Sequence, residues 1–457
     1  MAIRRSGYAG QVVDGVERYL GIQYAEPGPS GRFSASAVIG GRRQAAADSL
    51  DDVPVFPQLP SRLSAAMGRR VERNPQVESA FFLNVWTPVR GSRLPVLFFI
   101  HGGAWMTGGG SASWYDGRAL SARGMVVVTC NYRLGPLAHL TEPGSGGSRN
   151  PALSDLLAAL RWVRENIARF GGDPEAVTVA GQSAGSWYAH LLCVSDAARG
   201  LLGRVAHLSH ASNRPWTPAR QDRLCEEVRR ELGLGSLRDA GVPELLEAGR
   251  RAATRTEPGL GAVPTPYLPT TDAATADLLC SAPESARASH ARAVYLRTTG
   301  TETSAFFFDS PRERQVDADA VARLRASTAG GAAAAGGSAR TPYEELVAIT
   351  SEHFFDGPSR ALADAYADRG IPTYLRAFEA RSELDGFLSG HCFDLPFQFG
   401  SRDGWPDAPM LRGISRERFD RVSAGLVSEL ADFVASPDSG CGLERHLGGA
   451  GAVPIPP

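Results

Sequence analysis

The chain has 457 residues, which is too long for one small core and suits either several domains or one large α/β domain with insertions. Hydrophobic residues make up 43 % and charged residues 21 %, as in ordinary globular proteins. The formal net charge of −1 excludes a strongly basic surface, so we expect no binding to nucleic acid or to an anionic membrane. The chain contains no lysine, which excludes the lysine-containing phosphate loop of P-loop proteins.

The sequence predicts a cytoplasmic protein. It has no apolar run long enough to span a membrane, and its first residues lack the pattern of a signal peptide. The six cysteines are scattered, and no two have C-x-x-C spacing, so we expect free thiols and neither a metal site nor a redox motif.

Short apolar runs alternate with longer helical patterns from residue 81 to about residue 210. Four runs rich in β-branched and aromatic residues predict buried strands, at 81–86, 96–100, 125–130 and 176–180. Apolar residues at steps of three and four predict a helix over 151–170. Later strands are predicted at 205–208, 293–298 and 373–378. This alternation predicts an α/β fold with a mostly parallel central sheet covered by helices on both faces.

Two segments differ from this pattern. Residues 213–290 are helix-rich, polar and interrupted by prolines, so we interpret them as an insertion that lines or caps a pocket of a single domain spanning 1–457. Residues 327–339 consist almost entirely of Ala, Gly, Ser and Thr, and they predict a flexible surface loop.

A candidate nucleophile follows the strand at 176–180. The next residues read Gly181-Gln182-Ser183-Ala184-Gly185, and a helical pattern comes after them. G-x-S-x-G between a strand and a helix is typical of a nucleophile elbow, in which a tight turn exposes the serine hydroxyl. The backbone N–H of Ala184 is then expected to point at a developing oxyanion. A solvated serine in a glycine-rich turn is the alternative.

A glycine pair follows the strand at 96–100. Gly102 and Gly103 lie in the segment His101-Gly102-Gly103-Ala104-Trp105, where backbone N–H groups can face a substrate carbonyl without side chains in the way. We expect these two N–H groups to complete an oxyanion hole with that of Ala184. A plain glycine turn is the alternative interpretation.

Several segments resemble the type-B carboxylesterase and cholinesterase-like family of the α/β-hydrolase fold. The resemblance spans about residues 10 to 437 and includes the segments G-I-Q-Y-A-E-P at 21–27, L-N-V-W-T-P at 83–88, N-Y-R-L-G at 131–135, A-L-R-W-V-R-E-N-I at 159–167 and F-G-G-D-P at 170–174. It implies an α/β-hydrolase fold with a helical insertion over the active site, esterase activity, and no need for a cofactor or metal.

A serine nucleophile needs a base, and six histidines are candidates by chemistry alone: His139, His190, His207, His210, His353 and His391. The resembled family places its catalytic histidine in H-x-x-[ED]-L-P-[YF], which the segment 391–397 matches. The resemblance therefore implies that His391 is the base.

The third member of the triad should lie between the serine and the histidine, because α/β-hydrolases use the chain order Ser, acid, His. Glu302 follows the strand predicted at 293–298, in a segment similar to that of the family's acid. We select Glu302, with Asp309 as the alternative.

The sequence departs from the family near the elbow. Gln182 replaces the usual Glu, Tyr188 replaces a small serine, and His210-Ala211 stands where Ser-Gly is usual. With Trp105, these three residues are our candidates for the substrate pocket. Bulky side chains there imply an altered substrate shape.

The combined prediction is a serine hydrolase that cleaves a small-molecule carboxylic ester through an acyl-enzyme, as a monomer or homodimer. One alternative keeps the scaffold but makes the protein a tailoring enzyme of specialised metabolism, acting by deacylation, lactone opening, acyl transfer, elimination or cyclisation. A second is a non-catalytic binding protein, against which the complete Ser-Glu-His set argues.

Overall fold

The computed structural model describes residues 1–39, 41–142, 148–254, 259–263, 265–328 and 340–436. The Ala/Gly segment predicted as a loop at 327–339 lies almost entirely outside these ranges. Within them, no helix has the length and apolar character required to cross a membrane.

A ten-stranded sheet forms the centre of the fold, and a two-stranded sheet, β4–β5, accompanies it. The strands are β1 Ala2–Arg5, β2 Tyr8–Val13, β3 Val16–Gln23, β4 Ala25–Pro27, β5 Ser36–Val38, β6 Phe82–Pro88, β7 Leu94–Ile100, β8 Val126–Cys130, β9 Gly172–Gln182, β10 Arg204–Leu208, β11 Ala293–Thr299 and β12 Thr373–Phe378. The large sheet has the order β1-β2-β3-β6-β8-β7-β9-β10-β11-β12.

The sheet has an antiparallel part and a parallel part. Strands β1, β2, β3, β6 and β8 pair antiparallel, whereas β8, β7, β9, β10, β11 and β12 pair parallel. The seven strands predicted from apolar runs are confirmed as β6 to β12. The N-terminal strands were not predicted, because β1 is only partly buried and contains two arginines instead of an apolar run.

The helices of seven residues or more are α1 Pro151–Asn166, α2 Ala184–Val194, α3 Pro218–Leu232, α4 Val242–Ala253, α5 Ala273–Leu279, α6 Ala282–Ala288, α7 Ala318–Ser327, α8 Pro342–Ser351, α9 Gly357–Ala367 and α10 Arg416–Ala435. Short helices lie at Ser64–Met67, Arg118–Ser121, Gly135–His139, Ser304–Phe307, Pro311–Arg314 and Leu395–Gln398. A π-helical turn, Glu352–Asp356, joins α8 to α9.

The central strands divide the apolar core into two layers. In β7, Phe98 and Ile100 pack in the layer that contains α1 and α2, whereas Leu97 and Phe99 pack in the layer that contains α10. This alternation follows from the two-residue period of a strand and explains why β7 is a continuous apolar run. The chain therefore has the predicted α/β architecture, with both faces of its sheet covered.

Helices α3 to α6 all lie within residues 213–290. Side chains of α3 and α4 form an apolar cluster of their own with Leu137 and Leu140, which belong to the segment after β8. Arg250 and Thr254, at the end of α4, line the cavity described below. The segment is thus helix-rich and contributes to that cavity.

Candidate active site

The turn between β9 and α2 has the geometry of a nucleophile elbow. Ser183 has φ 55° and ψ −122°, a sparsely populated conformation for a residue with a side chain. A Cβ atom added to Gly181 would lie 2.2 Å from the carbonyl oxygen of Gly185. One added to Gly185 would lie 2.1 Å from that of Ile100. Only glycine fits at both flanking positions, which is the physical reason for the G-x-S-x-G spacing.

The loop after β7 brings a second glycine pair against the elbow. A Cβ atom added to Gly102 would lie 3.1 Å from the Cβ of Ser183, and Gly103 has φ +120°. Within the described part of the chain, the N–H groups of Gly102 and Gly103 donate to no protein acceptor. Ala184 is the first residue of α2. The N–H groups of all three residues therefore remain free for a ligand at the cavity.

The loops after β11 and β12 bring Glu302 and His391 together. His391 Nδ1 lies 2.5 Å from Glu302 Oε2, and the His391 backbone N–H donates to the Glu302 carbonyl at 3.0 Å. Glu302 Oε1 accepts from the Thr299 backbone N–H at 2.8 Å. Both side chains are buried, so the carboxylate fixes the imidazole ring and places the neutral form's proton on Nδ1.

The environment of His391 favours its protonated form. Burial alone would lower the pKa of the imidazole, but the neighbouring Cys392 and Glu302 side chains outweigh that effect and raise the pKa to about 10. This arrangement stabilises the imidazolium that forms when the ring accepts a proton.

Gln182 contacts the other nitrogen of the same ring. Its amide Nε2 lies 3.2 Å from His391 Nε2 and 3.3 Å from Cys392 Sγ. In the neutral form of the ring, whose proton is on Nδ1, Nε2 is the acceptor in this contact. The contact places the base directly beside the residue that precedes Ser183.

Ser183 and His391 line one cavity of about 350 Å³, together with Gly102, Gly103 and Ala184. The pocket candidates Trp105 and Gln182 also line it. The structure therefore brings the predicted nucleophile, base and oxyanion donors to one opening. The predicted acid lies behind the base.

Tyr188 and His210, the other two pocket candidates, are buried away from this cavity. The Tyr188 hydroxyl bonds to Asn150 Oδ1 at 3.3 Å, and its ring packs against Tyr132. His210 Nδ1 lies 3.1 Å from Ser186 Oγ. Both side chains are held in the interior by these contacts, so a bulky residue near the elbow need not face the substrate.

His210 belongs to a cluster of three buried histidines, which we call the histidine cluster: His190, His207 and His210. The ring centroids lie 5.2 to 5.8 Å apart. Ser186 Oγ also lies 3.0 Å from His207 Nδ1, and Ser285 Oγ lies 3.0 Å from His190 Nε2. Burial lowers the pKa of His190 to about 4 and, with the neighbouring His190, that of His207 to about 3. These rings are therefore neutral near pH 7.

Sequence reasoning missed three side chains around His391. The rings of Phe306 and Phe355 lie 5.2 and 5.0 Å from the imidazole and restrict its position. Asp356 ends the π-helical turn, where burial and the nearby Glu302 raise its pKa to about 7. Phe306 had a signal, since it is close to Glu302 in sequence. Nothing in the local pattern predicts the π-helical turn that places Phe355 and Asp356.

The other predicted alternatives lie apart from the elbow. Asp309 is exposed, whereas Glu302 is buried against His391. His139 is stacked on Tyr267, and His353 is exposed in the π-helical turn. Of the histidines considered from the sequence, His391 is the one that lines the cavity with Ser183.

Comparisons with known proteins show which family the chain belongs to. The chain matches the model of the carboxylesterase family over residues 5–436. It is 33 % identical to the probable N-octanoylanthranilate hydrolase of Rhodococcus erythropolis over 415 residues, which cover 89 % of this chain and 86 % of that protein. It is 30 % identical to the phenmedipham hydrolase of Pseudarthrobacter oxydans, covering 94 % and 88 % of the two chains.

Solved structures of carboxylesterases are also similar to this chain. A PNB esterase superposes with a TM-score of 0.77 at 28 % identity and covers 95 % of this chain and 90 % of its own. A carboxylesterase of Geobacillus stearothermophilus superposes with a TM-score of 0.74 at 26 % identity, covering 97 % and 92 %. The chain belongs to the carboxylesterase family, and it is a carboxylesterase-type hydrolase with the α/β-hydrolase fold.

Proposed function

We propose that the protein cleaves a carboxylic ester through an acyl-enzyme on Ser183, with His391 as general base and acid and Glu302 as the group that orients His391. The observation that carries this proposal is the buried Glu302–His391 pair, 2.5 Å apart, beside the strained turn that presents Ser183 to the same cavity. The relatives' names denote hydrolysis of different compounds, so family membership supports the reaction type and does not select the substrate.

The acylation step follows from these positions. Ser183 Oγ forms a bond to the ester carbonyl carbon while its proton moves to His391 Nε2. The carbonyl oxygen becomes an oxyanion, which accepts hydrogen bonds from the N–H groups of Gly102, Gly103 and Ala184. When the tetrahedral intermediate collapses, the bond to the alkoxy oxygen breaks and Nε2 gives its proton to the departing alcohol.

Deacylation repeats the sequence with water. His391 Nε2 takes a proton from water as the water oxygen attacks the acyl carbon, and the proton then returns to Ser183 Oγ as the acid leaves. Glu302 holds the ring and stabilises the imidazolium in both half-reactions.

Ser183→Ala tests the nucleophile. With p-nitrophenyl butyrate, we expect kcat to fall by a factor on the order of 10⁶, as for loss of a nucleophile in a serine protease. The matched control is Ser186→Ala, three residues further along α2, where we expect activity within about tenfold of the wild type because Ser186 faces the histidine cluster. Circular dichroism checks that both variants fold. Retention of most activity in Ser183→Ala would refute the assignment.

Mass spectrometry tests the intermediate. A slowly hydrolysed ester should add its acyl mass to a peptide containing Ser183, and the adduct should be missing in Ser183→Ala. Product analysis with water alone and with an added alcohol separates hydrolysis from acyl transfer, the alternative reaction on the same scaffold. Transfer to the alcohol as the main reaction would favour that alternative.

A further inference from the structure

The wall of the active-site cavity contains a positive charge that the proposed ester cleavage does not use. The wall is largely apolar, with Leu63, Met67, Trp105, Trp114, Phe306 and Phe355 among its residues. Two arginines, Arg62 and Arg250, also line it. None of the cavity-lining residues among those described is acidic. An apolar pocket with a few polar groups is typical of a small-molecule site in which those groups determine specificity.

The two arginines differ in their partners. Arg250 forms an ion pair with Glu247 at 3.0 Å, so its charge is already compensated. Arg62 has no acidic partner in the described ranges, and its guanidinium lies over the ring of Phe306, with Cζ 4.7 Å from the centroid. Arg62 is an exposed residue at the edge of the cavity, so its guanidinium stays charged at neutral pH. A cation without an acidic partner at the edge of a cavity that has no acidic lining favours the binding of an anion there.

The position of Arg62 indicates which part of the substrate this anion belongs to. Phe306 packs on Arg62 at 4.7 Å and on His391 at 5.2 Å, so the guanidinium carbon lies within about 10 Å of the imidazole. His391 donates its proton to the departing oxygen, which must therefore lie on the histidine side of the reacting carbon. The ring of Phe306 contacts both Arg62 and His391, so Arg62 lies near the side of the cavity where the departing oxygen is expected.

We propose that Arg62 is a specificity-determining residue that binds a carboxylate on the alcohol portion of the substrate ester. The inference rests on the proposed function and adds the class of substrate: esters whose leaving alcohol or phenol is anionic. A guanidinium suits this role because its planar donors match a carboxylate in a bidentate arrangement.

The test compares two butyrate esters of similar shape, 4-carboxyphenyl butyrate and the neutral 4-carbamoylphenyl butyrate. The measured quantity is the ratio of their kcat/KM values, in which the difference in leaving-group reactivity is the same for every variant. In Arg62→Gln we expect this ratio to fall roughly 2- to 5-fold, the range for losing an ion pair at an exposed site, with hydrolysis of the neutral ester nearly unchanged. Arg62→Lys should recover part of the ratio, since it keeps the charge but not the planar donors.

Arg250→Gln is the matched control, because it removes an arginine from the same cavity wall that is already paired with Glu247. We expect it to leave the ratio unchanged. An equal loss on both esters in Arg62→Gln would overturn the inference, because it would mean that Arg62 only supports Phe306. A charge preference seen instead with an acyl carboxylate, as in p-nitrophenyl hydrogen adipate against p-nitrophenyl hexanoate, would also overturn it. Failure of the wild type to cleave either butyrate would refute the proposed function itself.

Discussion

Buried histidines in this molecule have pKa values that are shifted in opposite directions. His391 is fully enclosed, yet its pKa is raised, whereas the equally enclosed rings of the histidine cluster have lowered pKa values. The pKa values differ because the side chains next to the rings differ. Glu302 Oε2 lies 2.5 Å from His391 Nδ1, but the partners of the cluster are the neutral hydroxyls of Ser186 and Ser285.

This comparison separates the two effects that act on a buried imidazole. Burial disfavours the charged ring in both places, and the neighbouring Cys392 and Glu302 side chains reverse that preference at His391. A histidine that must accept a proton during each turnover therefore needs the carboxylate. A histidine that never needs to carry a charge can pack against neutral hydroxyls instead. The variants below test this distinction, from the largest expected effect to the smallest.

The largest difference is expected between His391→Gln and His210→Asn. His391→Gln removes the proposed base and should reduce kcat/KM for p-nitrophenyl butyrate by roughly 10⁴ to 10⁶. His210→Asn keeps a polar group near Ser186 and should change kcat/KM by less than about tenfold. Steady-state kinetics on both purified variants decides the matter. A mild effect at position 391 with a severe one at position 210 would mean that the base is misassigned.

Glu302→Gln should leave His391 next to a neutral group, as in the histidine cluster, and so lower the pKa of its ring. We expect kcat/KM to fall by roughly 10⁴, the cost of a comparable change in a Ser-His-Asp protease. His391 must be neutral to accept a proton, and the wild-type ring has a raised pKa. The acidic limb of the kcat/KM profile should therefore lie above pH 6.5 in the wild type and move to lower pH in the variant.

Two controls make this pH shift specific to Glu302. Asp309→Asn alters the alternative acid, which is exposed, and should leave the profile unchanged. Asp356→Asn removes the carboxyl whose pKa is raised to about 7, so it shows how much of the acidic limb belongs to that group. Activity that survives Glu302→Gln but not Asp309→Asn would assign the acid to Asp309.

The smallest effect concerns stability in acid. Histidines with lowered pKa values in the folded state bind protons more readily when the chain unfolds. Their contribution to stability is present above about pH 6.5 and is lost as the pH falls toward 4, by up to about 1.4 kcal/mol per pH unit for each ring. We expect urea unfolding at pH 7, 6 and 5 to show this loss, with a smaller slope in His207→Asn. Equal slopes in the two proteins would contradict the interpretation of the cluster.

His391 changes the pH dependence of stability in the opposite direction, because its pKa is raised in the folded state. Its stabilising contribution is fully present below about pH 6.5 and is lost as the pH rises through the folded-state value of about 10. Between pH 5 and 7, His101 and His139, whose pKa values are also lowered, and Asp356, whose pKa is raised to about 7, change protonation on unfolding as well, so the difference between the wild type and His207→Asn isolates the cluster.

The sequence was informative wherever a residue type is required by local geometry. Gly181 and Gly185 are dictated by backbone atoms about 2 Å from where a Cβ would lie, so the elbow could be predicted from its spacing together with the strand before it and the helix after it. Glu302 and His391 were found through their family motifs. Their pairing joins residues that are 89 positions apart, which no local pattern encodes.

The features that were missed depend on tertiary contacts. Arg62 lies in a segment without a motif and becomes informative only because it faces the cavity near His391. Tyr188 and His210 were selected because they are bulkier than the residues usual in the family and lie near the elbow or the next strand. In the structure Tyr188 bonds to Asn150 and packs against Tyr132, and His210 bonds to Ser186, contacts that only the tertiary packing reveals.

The order of the strands has a consequence for how the enzyme becomes active. Strands β9, β10, β11 and β12 lie side by side in the order of synthesis, and Ser183, Glu302 and His391 follow β9, β11 and β12. A nascent chain that has emerged only as far as β10 therefore contains the serine but neither its base nor its acid. Closing the Glu302–His391 pair requires long-range parallel pairing, which forms slowly compared with local helix. We therefore expect the proposed triad to form late in folding, once β11 and β12 have joined the sheet.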